Sequence, residues 1–227
     1  MSKKMWLLLA VLVMAMCMLV VLVGCHGQFV LDDGNGNGNG DGGEGLYSAY
    51  IQGASWNYRE TLDDGTQNNL TFTVTGTRNI GGVECIELRV EDGGNTLIFA
   101  YGTFSEAAGG FIYALALPDR TITDQLDTPA QLLPGNPPAD FTADSNLFPL
   151  NGTYQGTTVS TAATVTVPAG TYTNAWQVQL NCENPGFNGA NRMTFWIVPG
   201  VGMVRIELLY PGDVAIDVEL VSFTPAP

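Results

Sequence analysis

From about residue 56 to the C-terminus, apolar and polar side chains alternate in short runs, each ending at a Gly, Asp, Asn or Pro turn. A period of two places successive side chains on opposite faces of an extended chain, the mark of half-buried antiparallel strands. Leu70, Phe72 and Val74 share one face of such a strand, with Thr71, Thr73 and Thr75 on the other. After Gly81 and Gly82, residues 83–91 bring Ile86, Leu88 and Val90 together. A turn at 92–95 then leads into a strand over 96–104, and 111–117 ends the first half. The second half predicts strands over 152–159 and 162–167, a corner at Pro168-Ala169-Gly170, and a face shared by Trp176, Val178, Leu180 and Cys182. Strands over 192–198, 203–210 and 214–223 follow. In the last two, Val204, Ile206 and Leu208 can pack with Ile216, Val218 and Leu220, which leaves Arg205, Glu207, Asp217 and Glu219 to solvent. The expected fold is all-β: an antiparallel open barrel or a two-sheet sandwich of about 10 strands.

Two stretches break the rhythm. Residues 118–149 carry Pro118, Pro129, Pro134, Pro137, Pro138 and Pro149. Proline donates no ladder hydrogen bond, so a Pro-rich crossing loop is expected here, with one short helical turn near 128–133. At the other end, Lys3 and Lys4 precede a wholly apolar run over 5–23, and then Leu22-Val23-Gly24-Cys25 opens onto a glycine tract. A basic start, an apolar core and a small residue before the break describe an export signal. The apolar run is long enough to offer an uncleaved transmembrane anchor as the alternative.

Leu22-Val23-Gly24-Cys25 resembles the lipobox of bacterial lipoproteins. The resemblance implies cleavage before Cys25, acylation of its thiol, and attachment of everything downstream to a membrane. His26, in place of the aspartate that holds many such proteins at the inner membrane, makes the outer membrane the expected destination. The chain then divides into a signal peptide over 1–24, lipidated Cys25 with a disordered Gly/Asn/Asp-rich tether over 25–46, and a single all-β domain over 47–227. The tether has no apolar surface to bury and maximal backbone entropy to lose. It also satisfies a calcium-loop pattern through Asp33, Asn35, Asn37, Gly38 and Glu44. Any Gly/Asn/Asp alternation that ends in glutamate does the same, and no helical pattern flanks this one, so no metal is expected.

Composition narrows the chemistry. Beyond Cys25 the only cations are six arginines against all 22 acidic residues, a net of −16, which makes nucleic acid and anionic lipid head groups poor partners. The sole histidine, His26, sits beside the anchor, and no lysine follows Lys4. Ser-His-Asp, Cys-His, Ser-Lys and Schiff-base mechanisms are therefore excluded from the domain, as are histidine-ligated metal centres. Gly53-Ala54-Ser55-Trp56-Asn57 lacks the final glycine of a nucleophile elbow. No cofactor is expected.

Cys85 and Cys182 are the cysteines left in an oxidising compartment, which argues for a bridge between them. Strand parity argues against it, since Cys182 is in phase with apolar Trp176 to Leu180 while Cys85 is in phase with Glu87 and Arg89. Trp56, Trp176 and Trp196 are candidates to line a ligand site, although aromatics in β-domains more often pack as core. Asp63/Asp64 and Glu91/Asp92 are carboxylate pairs of the kind used on sugars, but they lie in turns that favour Asp for backbone reasons.

The succession Val165-Thr166-Val167-Pro168-Ala169-Gly170-Thr171-Tyr172, Trp196 and Gly200-Val201-Gly202-Met203-Val204-Arg205 resembles uncharacterised bacterial envelope lipoprotein domains over residues 150–222. That resemblance implies an open barrel akin to the lipoprotein-carrier fold, and carries no catalytic residue. This chain departs from it by lacking a pattern for the long helix that fills those barrels. The expectation is a non-enzymatic, lipid-anchored envelope protein with a binding or structural β-domain. Its partner is the membrane through Cys25, together with an envelope protein. The alternative is a carrier or sensor of a small apolar ligand, and a remote one is a glycan hydrolase.

Overall fold

The structure, a computed structural model, describes residue 45 and residues 47–136, 138–145, 152–182, 190–212 and 214–227. The signal peptide, Cys25 and the tether residues Asp33, Asn35, Asn37 and Glu44 lie outside the described residues. The described residues form twelve strands: β1 (Ser55–Thr61), β2 (Gln67–Ile80), β3 (Val83–Asp92), β4 (Asn95–Ser105), β5 (Gly109–Ala116), β6 (Ile122–Leu133), β7 (Phe141–Ser145), β8 (Gly152–Val167), β9 (Gly170–Cys182), β10 (Arg192–Val198), β11 (Gly202–Tyr210) and β12 (Val214–Thr224). They make one antiparallel sheet in the order β6-β5-β4-β3-β2-β1-β12-β11-β10-β9-β8-β7. The sandwich alternative is thereby set aside. Two six-stranded meanders meet where β1 pairs with β12, and the sheet is open between β6 and β7. These end strands lie side by side, with no hydrogen-bonded ladder between them among the described residues.

Alternation sets the buried face as expected. Leu70, Phe72 and Val74 are buried on β2 while Thr71 and Thr73 stay partly exposed. Ile206 stands opposite Val218 and Leu208 opposite Ile216, while Arg205 pairs with Glu219 and Glu207 with Asp217 on the other face. There Arg205 grips Asp217 with two hydrogen bonds of 2.9 and 2.8 Å. Being partly exposed, that pair stabilises by under about 1 kcal/mol. The two strands expected over 152–159 and 162–167 are one, β8, whose register shifts around Ser160 instead of breaking.

The described part of the expected loop holds β6 and β7, and 128–133 is extended rather than helical. Pro118, Pro134 and Pro138 fall outside these strands, and Pro129 is accommodated because β6 is an end strand of the sheet. The pairing of β6 with β5 jumps from Ala130 opposite Ile112 to Gln125 opposite Ala114, so residues 126–129 have no ladder partner. Pro129 falls in that gap, where its missing N–H costs no sheet bond.

Among the described residues no helix covers the apolar face, which packs on itself, and the segment 47–54 closes one end. Tyr50 lies 4.8 Å from Trp56 and 5.5 Å from Phe104, with Phe223 beyond Trp56 and Tyr47 beyond Phe104. Five rings thus run from β12 across β1 to β4. Their polar ends find backbone partners, as buried phenols and indoles require. Trp56 Nε1 donates to Val201 O at 2.7 Å, Tyr58 Oη to Met203 O at 2.6 Å, and Tyr50 Oη accepts from Met203 N at 2.7 Å. Gly202 makes room for this arrangement. Its φ is 89°, and a Cβ there would stand 2.6 Å from the Tyr50 hydroxyl. Gly202→Ala should therefore add backbone strain to overpacking and cost roughly 2–5 kcal/mol, read from the urea midpoint.

Candidate functional site

One-sided burial fails on the first meander. Ile86 and Leu88 of β3 face the core, yet Cys85 and Glu87, which point the other way, are 0 % and 7 % exposed. Phe99, Tyr101 and Thr103 of β4 are buried on the same outer side. Their cover comes from the loop joining β5 to β6.

That loop has a sister elsewhere in the chain. In Leu62-Asp63-Asp64-Gly65-Thr66, Leu62 N donates to Thr66 O, Gly65 N to Leu62 O, and Thr66 N to Asp64 Oδ1. In Leu117-Pro118-Asp119-Arg120-Thr121 the same three bonds recur, with Asp119 in place of Asp64. Three-residue hairpin loops of this kind end in a left-handed residue, for which glycine is favoured. Gly65 has φ 79°, whereas Arg120 holds φ 66° with a side chain attached. Among the described residues it is the one non-glycine with positive φ.

The side chain of Arg120 explains why that conformation is kept. It lies over the Phe99 ring at 4.7 Å and clamps Glu87, with Nε 3.1 Å from Oε2 and Nη2 2.9 Å from Oε1. Thr75 Oγ1 donates to Glu87 Oε1 at 2.7 Å, and Tyr101 Oη to Oε2 at 3.1 Å. Arg78, register partner of Cys85, donates from Nη1 to Tyr101 Oη and to the Arg120 carbonyl, both at 3.0 Å. Burial alone would raise the Glu87 pKa. The Arg120 and Thr75 hydrogen bonds, the Arg120 charge and the Tyr101 hydroxyl outweigh it, so Glu87 is held below the ordinary range. Burial pushes Tyr101 up and the Cys85 thiol up to about 12, so both keep their protons at neutral pH. The cluster fixes charge; it does not hold a nucleophile or a proton donor near neutrality.

The residues singled out from sequence are dispersed. Trp56 is fully buried in the ring row and Trp176 faces the core from β9, whereas Trp196 lies on the outer side under the Arg205 guanidinium at 5.0 Å. They do not converge on one site. Cys85 and Cys182 are free thiols, six strands apart in the sheet order, and a bridge would need Cα atoms about 5.5 Å apart. Asp64 is engaged in its own turn, and Glu91 pairs with Arg89 at 3.2 Å. Among the described residues no group of three or more His, Cys, Asp and Glu is placed to hold a metal. The Glu87 cluster went unread in the sequence, although one signal was available: arginine standing where the twin hairpin has glycine.

A second carboxyl also escaped notice. Glu60 is in phase with Trp56 and Tyr58 on the core face of β1 and is 0 % exposed. Asn68 Nδ2 donates to its Oε2 at 2.6 Å, while Oε1 has no partner. Burial raises its pKa to about 7, with the Asn68 hydrogen bond opposing and the Asp92 charge adding to the rise.

No protein-family model matches the chain, and no curated protein matches it. Among solved structures it is similar to a protein from Bacteroides fragilis NCTC 9343 described as exported and of YmcC-like fold. That match has 16% identity and a TM-score of 0.40, covering 77% of this chain and 96% of that one. It is also similar to a protein from Parabacteroides distasonis ATCC 8503 described as a lipoprotein, at 15% identity, TM-score 0.40 and the same coverages.

Two expectations follow from the carboxyls. Since Glu60 binds its proton more tightly folded than unfolded, its contribution is complete below the unfolded pKa near 4.5 and falls as pH rises to about 7, by roughly 3 kcal/mol. Thermal midpoints taken from pH 4.5 to 8 should show this decline in the wild type and a flatter profile in Glu60→Gln. For the clamp, Arg120→Gly should destabilise the wild type by stranding Glu87. In a Glu87→Gln background the same change should cost much less, because no buried charge is stranded and the relief of the left-handed backbone offsets the lost Phe99 contact. Denaturant midpoints of the four proteins in that cycle measure the coupling between Arg120 and Glu87.

Proposed function

We propose that the chain is a lipid-anchored cell-envelope protein whose single β-domain acts by binding or structural contact and not by catalysis. The observation that carries this is the N-terminal sequence: Lys3 and Lys4, an apolar run, then Leu22-Val23-Gly24-Cys25 directly before a glycine-rich spacer. Several acyl chains on Cys25 would hold the protein where a single chain gives only marginal attachment. His26 after the cysteine favours the outer membrane. The non-enzymatic reading is supported by the protonation of the Glu87 cluster, whose carboxylate is a weak base and whose thiol and phenol are poor nucleophiles. The employment of Asp64 and Glu91 in a turn and an ion pair weighs against the glycan-hydrolase alternative. Against a carrier of apolar ligands stands the row of Tyr47, Phe104, Tyr50, Trp56 and Phe223, which fills the closed end of the sheet with the protein's own rings.

Metabolic labelling with a fatty-acid probe tests the anchor. The wild type should be labelled and recovered with membranes, and Cys25→Ser should be unlabelled and retain its leader. An unlabelled wild type found free in the cytosol would sink the proposal.

A further inference from the structure

Arg78 is the exception among the arginines of the domain. Arg59 pairs with Glu219, Arg89 with Glu91, Arg120 with Glu87, Arg192 with Glu207, and Arg205 with Glu207 and Asp217. Arg78 has no acidic partner among the described residues, in a chain where acids far outnumber bases. Glu84, on the same hairpin, is bonded by Thr77 instead. Among the described residues only Nη1 of Arg78 finds acceptors, in Tyr101 Oη and the Arg120 carbonyl, which leaves Nε and Nη2 as donors. Arg120 spends Nε and Nη2 on Glu87 and has Nη1 to spare.

We propose that Arg78, assisted by Arg120, forms a binding site for an oxyanion, the phosphate or carboxylate group of a ligand. Charge supports the assignment first: Glu87 neutralises one guanidinium of the two, and the cluster retains one uncompensated positive charge on a strongly acidic molecule. Preorganisation supports it second. Arg78 rests over the Tyr101 ring at 5.3 Å, its Nη1 is fixed by two acceptors, and Tyr101 is fixed in turn by Glu87. A guanidinium already held in place loses little freedom on capturing an anion, and its remaining donors suit a forked oxyanion. The Arg120 backbone adds a third reason. The left-handed conformation that its twin loop gives to Gly65 sends the Arg120 side chain to Glu87 and turns its carbonyl to Arg78, and such strain gathers at ligand clamps.

This assignment rests on the reading of the domain as a binding module, and its test separates the two. Full-length protein in a non-ionic detergent at low ionic strength would be titrated by calorimetry with inorganic phosphate and with succinate. Saturable binding with a dissociation constant on the order of 1 mM is expected for at least one of them. Arg78→Gln should weaken it roughly tenfold while the protein stays folded with a cooperative thermal transition, and Arg192→Gln should leave it alone. Mixed micelles containing phosphatidylglycerol, compared with phosphatidylcholine, identify the source. Binding confined to the anionic lipid assigns a lipid headgroup, and equal competition by soluble phosphate assigns a free oxyanion. Absence of saturable binding to every probe, or an Arg78→Gln protein that binds like the wild type, overturns the site. Fatty-acid labelling of Cys25 is indifferent to Arg78, so the anchor stands or falls separately.

Discussion

A sheet with one apolar face and no helix beside it can bury that face only against itself. Everything else in this domain follows from meeting that demand. Tyr50 is where it is met most directly: its ring joins Trp56 of β1 to Phe104 of β4, and its hydroxyl accepts the backbone N–H of Met203 on β11. One side chain from outside the strands thereby ties three parts of the sheet across its interior. Gly202 is the other half of the contact, since any side chain there would occupy the space of the phenol. The polar groups of Tyr50, Trp56 and Tyr58 meet backbone atoms of the β10–β11 turn and β11, and the Tyr47 hydroxyl meets the Pro134 carbonyl, so each buried polar end has a partner.

The two meanders use their outer faces differently. On the second, polar side chains lie open in register: Arg205 bonds Asp217 and covers Trp196, and Glu219 of β12 reaches across the seam to Arg59 of β1. Such exposed pairs stabilise little and leave the face available to solvent. On the first, the Leu117–Thr121 turn folds over β3 and β4 and buries a carboxylate that could not be left alone there. Glu87 is tolerated because four donors from Arg120, Thr75 and Tyr101 reach its two oxygens. The result is a charge-bearing patch on the outer face, held together by hydrogen bonds from three strands and the Leu117–Thr121 turn.

The proline-rich middle shows why local rules mislead at particular places. Pro129 and its neighbours exclude a central strand, and that exclusion holds; the sequence does not say that 122–133 ends the sheet, where the exclusion no longer applies. Cys85 shows the same limit from the other side. Its polar phase was legible, but its complete burial was not, because the outer face of β3 is covered at Glu87 by an arginine more than thirty positions away. The possible bridge to Cys182 was undecided for that reason too: parity is local, whereas the separation of β3 from β9 depends on strand order.

What the chain encodes by itself is the all-β class, the position of most turns, the identity of the apolar face and an N-terminal pattern that resembles an export-and-anchor signal. These are set by side-chain period, turn chemistry and composition, which act over a few residues. Tertiary structure decided the single open sheet instead of a sandwich, the pairing of β1 with β12, the burial of Glu60, and the meeting of Arg78 with Tyr101, Glu87 and Arg120. Those outcomes depend on which distant segments share an edge or cover a face. Long-range packing selects among arrangements that the same two-residue alternation would satisfy equally well.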